Sequence, residues 1–341
     1  MADEVSMLRP LVPGGVLAFD AGNSKTDVAL VSADGTVLGT ARGGGFEPHI
    51  IGAQAAVDGL APLVAAAAAE AGLVVGEVPL VQQISACLAN ADLPIEEERL
   101  SKAFESFGWA TAVHVANDTF ALLRAGVDEP RGVAVVCGAG INCAGLLPDG
   151  RTARFAAVGK ISGDWGGGQQ LADEAFWAAA RAADGRGPST ALEEALPAHY
   201  GLDSVAALIE AVHLGDIPFN RRLEATPLLF QVAAAGDPVA TAVVQRQAEE
   251  IVSMATVAMR RLDLLDEPTD VVLGGGVLTA GHPLLMETVV RLLSAAAAKA
   301  IPRVVDVPPV VGAALLGLDH TNAAPTAHLQ LRAAFAPPPA A

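Results

Sequence analysis

Basic side chains are scarce in this chain. Lys and Arg together number 21 against 38 Asp and Glu, a formal net charge of -17. That balance excludes a nucleic-acid partner, because phosphate backbones need a basic footprint. A bound nucleotide would have to be held by local backbone dipoles, a lysine and a metal ion. Cysteine is scarce too: Cys87, Cys137 and Cys143 are an odd set without Cys-x-x-Cys spacing. They give no disulfide framework and read as small buried apolar residues. No histidines or cysteines fall at metal-ligand spacing. An uninterrupted apolar run is also lacking, although 52% of residues are hydrophobic. The longest, residues 60–76, is mostly alanine and is broken by Pro62 and Glu70. It falls short of the roughly 18–20 residues of a membrane span. Residues 1–13 hold Asp3, Glu4 and Arg9 and lack the basic start and apolar centre of a signal peptide. The expectation is a cytoplasmic protein without a membrane partner.

What is present has the order of an α/β protein written twice. A length of 341 residues suggests about two domains. Val16–Asp20, Asp27–Ser32 and Val37–Arg42 read as three strands joined by short turns. An alanine-rich helical stretch over about 52–71 follows, then a strand at Val81–Ala86, a helix at Pro94–Phe107 and a strand at Ala112–Val115. Asp118 begins another helix. The pattern restarts with strands at Gly132–Cys137, Asn142–Leu147 and Arg151–Ala156. Helices dominate from about 167 to 262. A strand at Asp270–Leu273 ends in three glycines, and an apolar helix covers 312–318. The predicted domains are 14–128, rejoined by a helix at 312–320, and 129–311. Residues 321–341, rich in Ala and Pro, read as a mobile tail.

Two glycine turns stand out. Asp20 ends an apolar strand just before Gly22-Asn23-Ser24-Lys25-Thr26. Ser24, Lys25 and Thr26 offer hydroxyl, ammonium and N–H donors to the β- and γ-phosphates of a nucleotide. Asp20 could hold Mg²⁺ through water, since magnesium needs few protein ligands. A plain polar β-turn is the competing reading. Gly138-Ala139-Gly140 forms a second turn between strands, where backbone N–H groups could cradle phosphate. Gly274-Gly275-Gly276 ends a later strand, and its bare backbone would let a flat adenine and ribose approach.

Taken in order, Asp-x-Gly-x-Ser-Lys-Thr, Asn117-Asp118, Gly-x-Gly-x-Asn-Cys, Gly163-Asp164-x-Gly and the late glycine triplet resemble a known group. The chain is similar, over about 15–318, to the N-acetylglucosamine kinase branch of the BadF/BadG/BcrA/BcrD ATPase family. That family belongs to the sugar kinase and actin-like ATPase superfamily. The resemblance implies an α/β fold of two ribonuclease H-like domains around a central cleft. It implies ATP and Mg²⁺ as cofactors and a small-molecule amino sugar, N-acetylglucosamine or glucosamine, as substrate. Asp118 would be the general base, with Asn117 beside it on the substrate. Gly163 and Asp164 would hold sugar hydroxyls.

The chain also departs from that pattern. Ala139 and Ile141 stand where the kinases carry hydroxyl residues, and Trp165 replaces a glutamate. Glu47 and His49 stand in the sugar loop where the kinases carry Asn and Trp, and the charge of Glu47 would suit an amine-bearing sugar. Two other functions stay open: an ATPase activator of the family's other branch, which binds an iron–sulfur cluster through cysteines, and a non-catalytic nucleotide-dependent regulator. A homodimer is also left open.

Overall fold

A computed structural model describes residues 9–305 and 307–336. The chain divides into two compact units. The first takes its described residues from Met1–Arg131, Leu146–Arg151 and Val305–Ala341; the second is Gly132–Gly145 with Thr152–Val304.

The first unit is built on five strands: β1 (Val12–Ala21), β2 (Thr26–Val31), β3 (Val37–Gly43), β4 (Val81–Leu88) and β5 (Ala110–Asn117). Their order across the sheet is β3-β2-β1-β4-β5. β1, β2 and β3 pair antiparallel, whereas β1–β4 and β4–β5 are parallel. β1 lies in the middle, and Val16 to Phe19 have no exposed surface. That burial on both faces is why its sequence reads as a continuous apolar run rather than an alternation. The core on one face joins Phe19, Ile84, Leu100, Phe104 and Trp109, with the Phe19 and Phe104 rings 5.1 Å apart. The helix Pro94–Glu105 starts at a proline, and its Glu96 carboxylate accepts the Leu93 N–H at 2.8 Å, closing the first turn.

The second unit repeats the plan with β6 (Gly132–Cys137), β7 (Ile141–Leu146), β8 (Thr152–Arg154), β9 (Thr269–Gly274) and β10 (Ala300–Val304). Its order is β10-β9-β6-β7-β8, the same plan read from the other edge. β6–β9 and β9–β10 are parallel. Seven described helical segments fill the sequence between β8 and β9, the longest being Pro238–Arg261. Among the described residues no single helix is long and apolar enough to cross a membrane.

Three expectations need correction. The stretch 52–71 is not one helix: it breaks into Ala53–Asp58 and Ala61–Glu70, because Pro62 can be accommodated only in a first turn. The strand Arg151–Ala156 is shorter, and β8 covers only Thr152–Arg154. The expected tail contains a helix, Pro325–Ala334, whose Ala327 and Leu331 are buried. Arg332 anchors it by donating to the carbonyls of Ala125, Arg124 and Val127. A Cβ on Gly35 would strike the Ala327 backbone, so this helix rests on the turn before β3. The last part of that tail, 337–341, lies outside the described residues.

Candidate active site

The parallel strands of the first unit run in one row, with Ala21 level with Leu88 and Leu88 level with Asn117. Asp20 therefore sits one residue inside the carboxyl end of β1, and Asp118 one residue beyond the end of β5. Ligands of α/β sheets gather at this edge. Asp20 is only 8% exposed. Burial raises its carboxyl to about 7, with the charges of Asp118 and Asp27 adding and those of Lys25 and Arg42 opposing. Asp118 is raised to about 6, again by burial, against the backbone N–H groups of Thr119 and its own residue. At neutral pH Asp118 can therefore accept a proton, and Asp20 is a buried carboxyl whose nearby cations, Lys25 and Arg42, only partly offset its burial.

Asn117, rather than Asp118, caps the following helix Asp118–Gly126. Its Oδ1 accepts the Thr119 N–H at 2.9 Å, and its Nδ2 donates to Asp92 Oδ1 at 2.9 Å. Both ends of this amide are thus held by the fold, and the Asp118 carboxylate is spared the capping role.

The first glycine turn is closed by Gly22 N–H donating to the Lys25 carbonyl at 2.9 Å. Among the described residues the amides of Asn23, Ser24 and Lys25 have no partner, as a phosphate cradle requires. The Asn23 side chain accepts from Asn90 at 2.7 Å. Lys25 is not free: its Nζ lies 3.2 Å from Asp27, which Arg42 also meets at 2.5 Å. Thr26 is 1% exposed, and its hydroxyl has no partner among the described residues.

The loop after β3 packs on this turn. Phe46 N–H donates to the Gly22 carbonyl at 2.9 Å, and a Cβ on Gly45 would strike the Asn23 carbonyl. A cavity of about 170 Å³ results, lined by Thr26, Gly43 to Glu47 and the apolar side chains of the next helices. Glu47 reaches it. His49 is exposed and does not line it.

In the second unit three glycine segments converge. Gly167, at φ +86°, comes so close to Gly140 that a Cβ would lie 2.5 Å from its backbone. Gly275, at φ +85°, stands in the same relation to Cys137. Gly138 N–H donates to Gly140 O at 2.9 Å, and the carbonyls of Gly138 and Ala139 accept from Gly168 and Gln169 at 2.7 and 3.0 Å. Gln247, fully buried, accepts the Gly167 N–H at 2.9 Å and was not visible as a site residue from its helical context. Gly276, Gly138 and Gly140 have open space where a side chain would stand. Gly274 ends β9 just before them. Gly163, at φ +87°, ends the short helix Gly159–Ser162. Asp164 Oδ2 accepts from Gly159 N–H at 3.0 Å and from the Ser162 hydroxyl at 2.5 Å. Asp164, Gly166, Ala139 and Gly140 line one cavity of about 250 Å³ together with Lys160 and Gln169. The Arg246 guanidinium lies over the Trp165 ring, 4.1 Å from its centroid.

All three cysteines are buried, and burial pushes each thiol up. Among the described residues no three His, Cys, Asp or Glu side chains converge as metal ligands. One under-compensated carboxylate, Asp20, suits magnesium, which takes its remaining ligands from water and phosphate.

Known proteins resemble this chain in sequence and in fold. The chain is 26% identical over 190 residues to an N-acetylmuramic acid/N-acetylglucosamine kinase of Clostridium acetobutylicum, covering 56% of this chain and 62% of that one. It is 25% identical over 185 residues to an N-acetyl-D-glucosamine kinase of Dictyostelium discoideum, covering 53% and 58%. The chain thus spans about three-fifths of these curated relatives. Its fold is shared with a crystal structure from Chromobacterium violaceum, provisionally assigned as an N-acetylglucosamine kinase, at a TM-score of 0.68 and 23% identity over 89% of this chain and 98% of that one. The BadF/BadG/BcrA/BcrD ATPase family matches residues 17–317, and the chain belongs to that family.

Proposed function

We propose that this chain is an ATP-dependent kinase of an amino sugar, N-acetylglucosamine or glucosamine, with Asp118 as general base. The observation that carries the reading is the half-buried Asp118 carboxyl at the sheet edge. Its proton affinity, near pH 6, suits it to take a hydroxyl proton at neutral pH. The names of the two curated relatives supply the sugar class.

In the proposed reaction the sugar hydroxyl oxygen attacks the γ-phosphorus of ATP. A new O–P bond forms and the bond to the β,γ-bridging oxygen breaks, its electron pair leaving on ADP. The hydroxyl proton passes to Asp118. Such transfers depend mainly on positioning and charge stabilisation. The amides of Asn23, Ser24 and Lys25, and separately those of Ala139 and Gly140, are free to donate to phosphate oxygens. Asp164 would accept from sugar hydroxyls through its Oδ1. Glu47 would face the substituent that tells one sugar from another. Asp20 would hold a magnesium ion through water, and that ion would offset phosphate charge. Gly276 would leave room for the nucleoside.

The test is product identification. Incubation with ATP, magnesium and a panel of sugars should yield one sugar phosphate by mass spectrometry, and Asp118→Asn should abolish it. Two observations bear on the alternatives. Burial of all three cysteines argues against the cluster-binding activator. Ala139, exposed and without a hydroxyl, favours a nucleotide-dependent regulator as the second reading; it predicts nucleotide binding with no phosphorylated sugar.

A further inference from the structure

The second phosphate turn lacks hydroxyl donors at Ala139 and Ile141. Its carbonyls are already committed to Gly168 and Gln169, and only the amides of Ala139 and Gly140 remain without partners among the described residues. The triphosphate therefore meets fewer donors here than its charge calls for, in a chain whose net charge is -17.

The cavity that contains the turn supplies another cation. The chain has four lysines. Lys25 pairs with Asp27, Lys102 with Glu98, and Lys299 donates to the Asp266 carbonyl. The Lys160 side chain has no hydrogen-bond or ion-pair partner among the described residues, and the residue lines the same cavity as Ala139, Gly140 and Ile141. Two carboxylates share the cavity wall, and neither forms an ion pair with Lys160. Asp173 pairs with Arg222, and Asp164 Oδ2 takes two donors. One of those donors is the N–H of Gly159, so Asp164 fixes the backbone next to Lys160. Lys160 thus shares a cavity with the phosphate turn and has no ion-pair partner among the described residues.

We propose that Lys160 binds the γ-phosphoryl group of ATP and stabilises its charge during transfer, replacing the hydroxyl donors that Ala139 and Ile141 lack. The proposal rests on the kinase reading above and names a further residue of that site. A point charge aimed at the transferring group acts where charge is redistributed, so it affects turnover more than sugar binding. No local pattern singles out Lys160, which lies on a short exposed helix; its meaning comes from the cavity it shares.

The experiment compares Lys160→Met and Lys160→Arg with the parent, each checked for a parental melting curve. Calorimetry first measures ADP and the non-hydrolysable analogue AMPPNP without sugar. The parent should prefer AMPPNP, Lys160→Met should lose that preference, and Lys160→Arg should keep most of it. In turnover, Lys160→Met should lower kcat about 10²–10³-fold with sugar KM unchanged, the range typical for one charge-stabilising donor. Adding Ala139→Thr to Lys160→Met should recover at least about tenfold of kcat, since position 139 is exposed and can accept the larger side chain. Unchanged AMPPNP preference with kcat within threefold of the parent would overturn the proposal. A raised sugar KM with parental kcat would also overturn it, by making Lys160 a sugar contact. If the parent phosphorylates no sugar, the kinase reading fails, and the AMPPNP comparison still decides the role of Lys160.

Discussion

Replacing Asp118 by Asn removes the proton acceptor and keeps the shape. Loss of a general base typically costs about 10²–10⁴-fold in rate, so kcat should fall into that range while ATP affinity stays near the parent's. The structure adds a second, opposite effect. Burial lifts the Asp118 carboxyl from its ordinary 3.8 to about 6, so folding disfavours the charged form. That rise corresponds to at most about 3 kcal/mol, and the partial access of this residue to water reduces it to about 1–2 kcal/mol. The sign follows from the direction of the change. A carboxyl with a raised folded-state value costs nothing below about pH 4, where it is protonated in both states. The cost grows between about 4 and 6 and is complete above 6. An asparagine carries no such cost. Asp118→Asn should therefore melt a few degrees above the parent at pH 7.5, at about 2–4 °C per kcal/mol, and level with it at pH 4. A coupled ADP assay and melting curves at the two pH values check both effects. Turnover within threefold of the parent would remove Asp118 from the base role. A lower melting temperature at pH 7.5 would refute the buried-charge argument.

Three further outcomes follow from the same geometry. Asp20→Ala should weaken ATP binding in magnesium and leave binding in chelator nearly unchanged; equal affinity with and without the metal in the parent, by calorimetry, would contradict a magnesium role for Asp20. Glu47→Gln should lower kcat/KM for an amine-bearing sugar much more than for a neutral one; equal losses would make Glu47 a hydroxyl contact, and no loss would take the 170 Å³ cavity out of substrate recognition. Gly167→Ala should lower stability by about 2–4 kcal/mol, from backbone strain at φ +86° and from the clash with Gly140, whereas Gly140→Ala, with open space at its Cβ, should be nearly neutral; similar melting curves for the two would contradict the tight crossing of these segments.

Local pattern carried most of the fold. The apolar β1 and β6 runs, the glycine turns after β1 and β6, and the proline-led helix Pro94–Glu105 all appear where composition and spacing put them. What stayed hidden depends on partners distant in sequence. Arg42 meets Asp27 only once the β2–β3 register is known, and Lys25 looked available because spacing alone does not signal its own pairing with Asp27. Asn117 looked like a substrate contact because Asp92, on the loop after β4, does not signal its bond to it. The helix Pro325–Ala334 was missed for a different reason: alanine and proline content masked a proline at the first turn and the i, i+4 pair Ala327 and Leu331. Lys160 and Gln247 carried no local signal, since one sits on an exposed turn and the other on an ordinary buried helix face.

Sugar-dependent ADP release tests the central claim most directly. With ATP and magnesium, the chain should release little ADP alone and much more when N-acetylglucosamine or glucosamine is added, with other hexoses well behind. ADP release that no sugar in the panel stimulates, from protein that binds ATP, would contradict the assignment as an amino-sugar kinase.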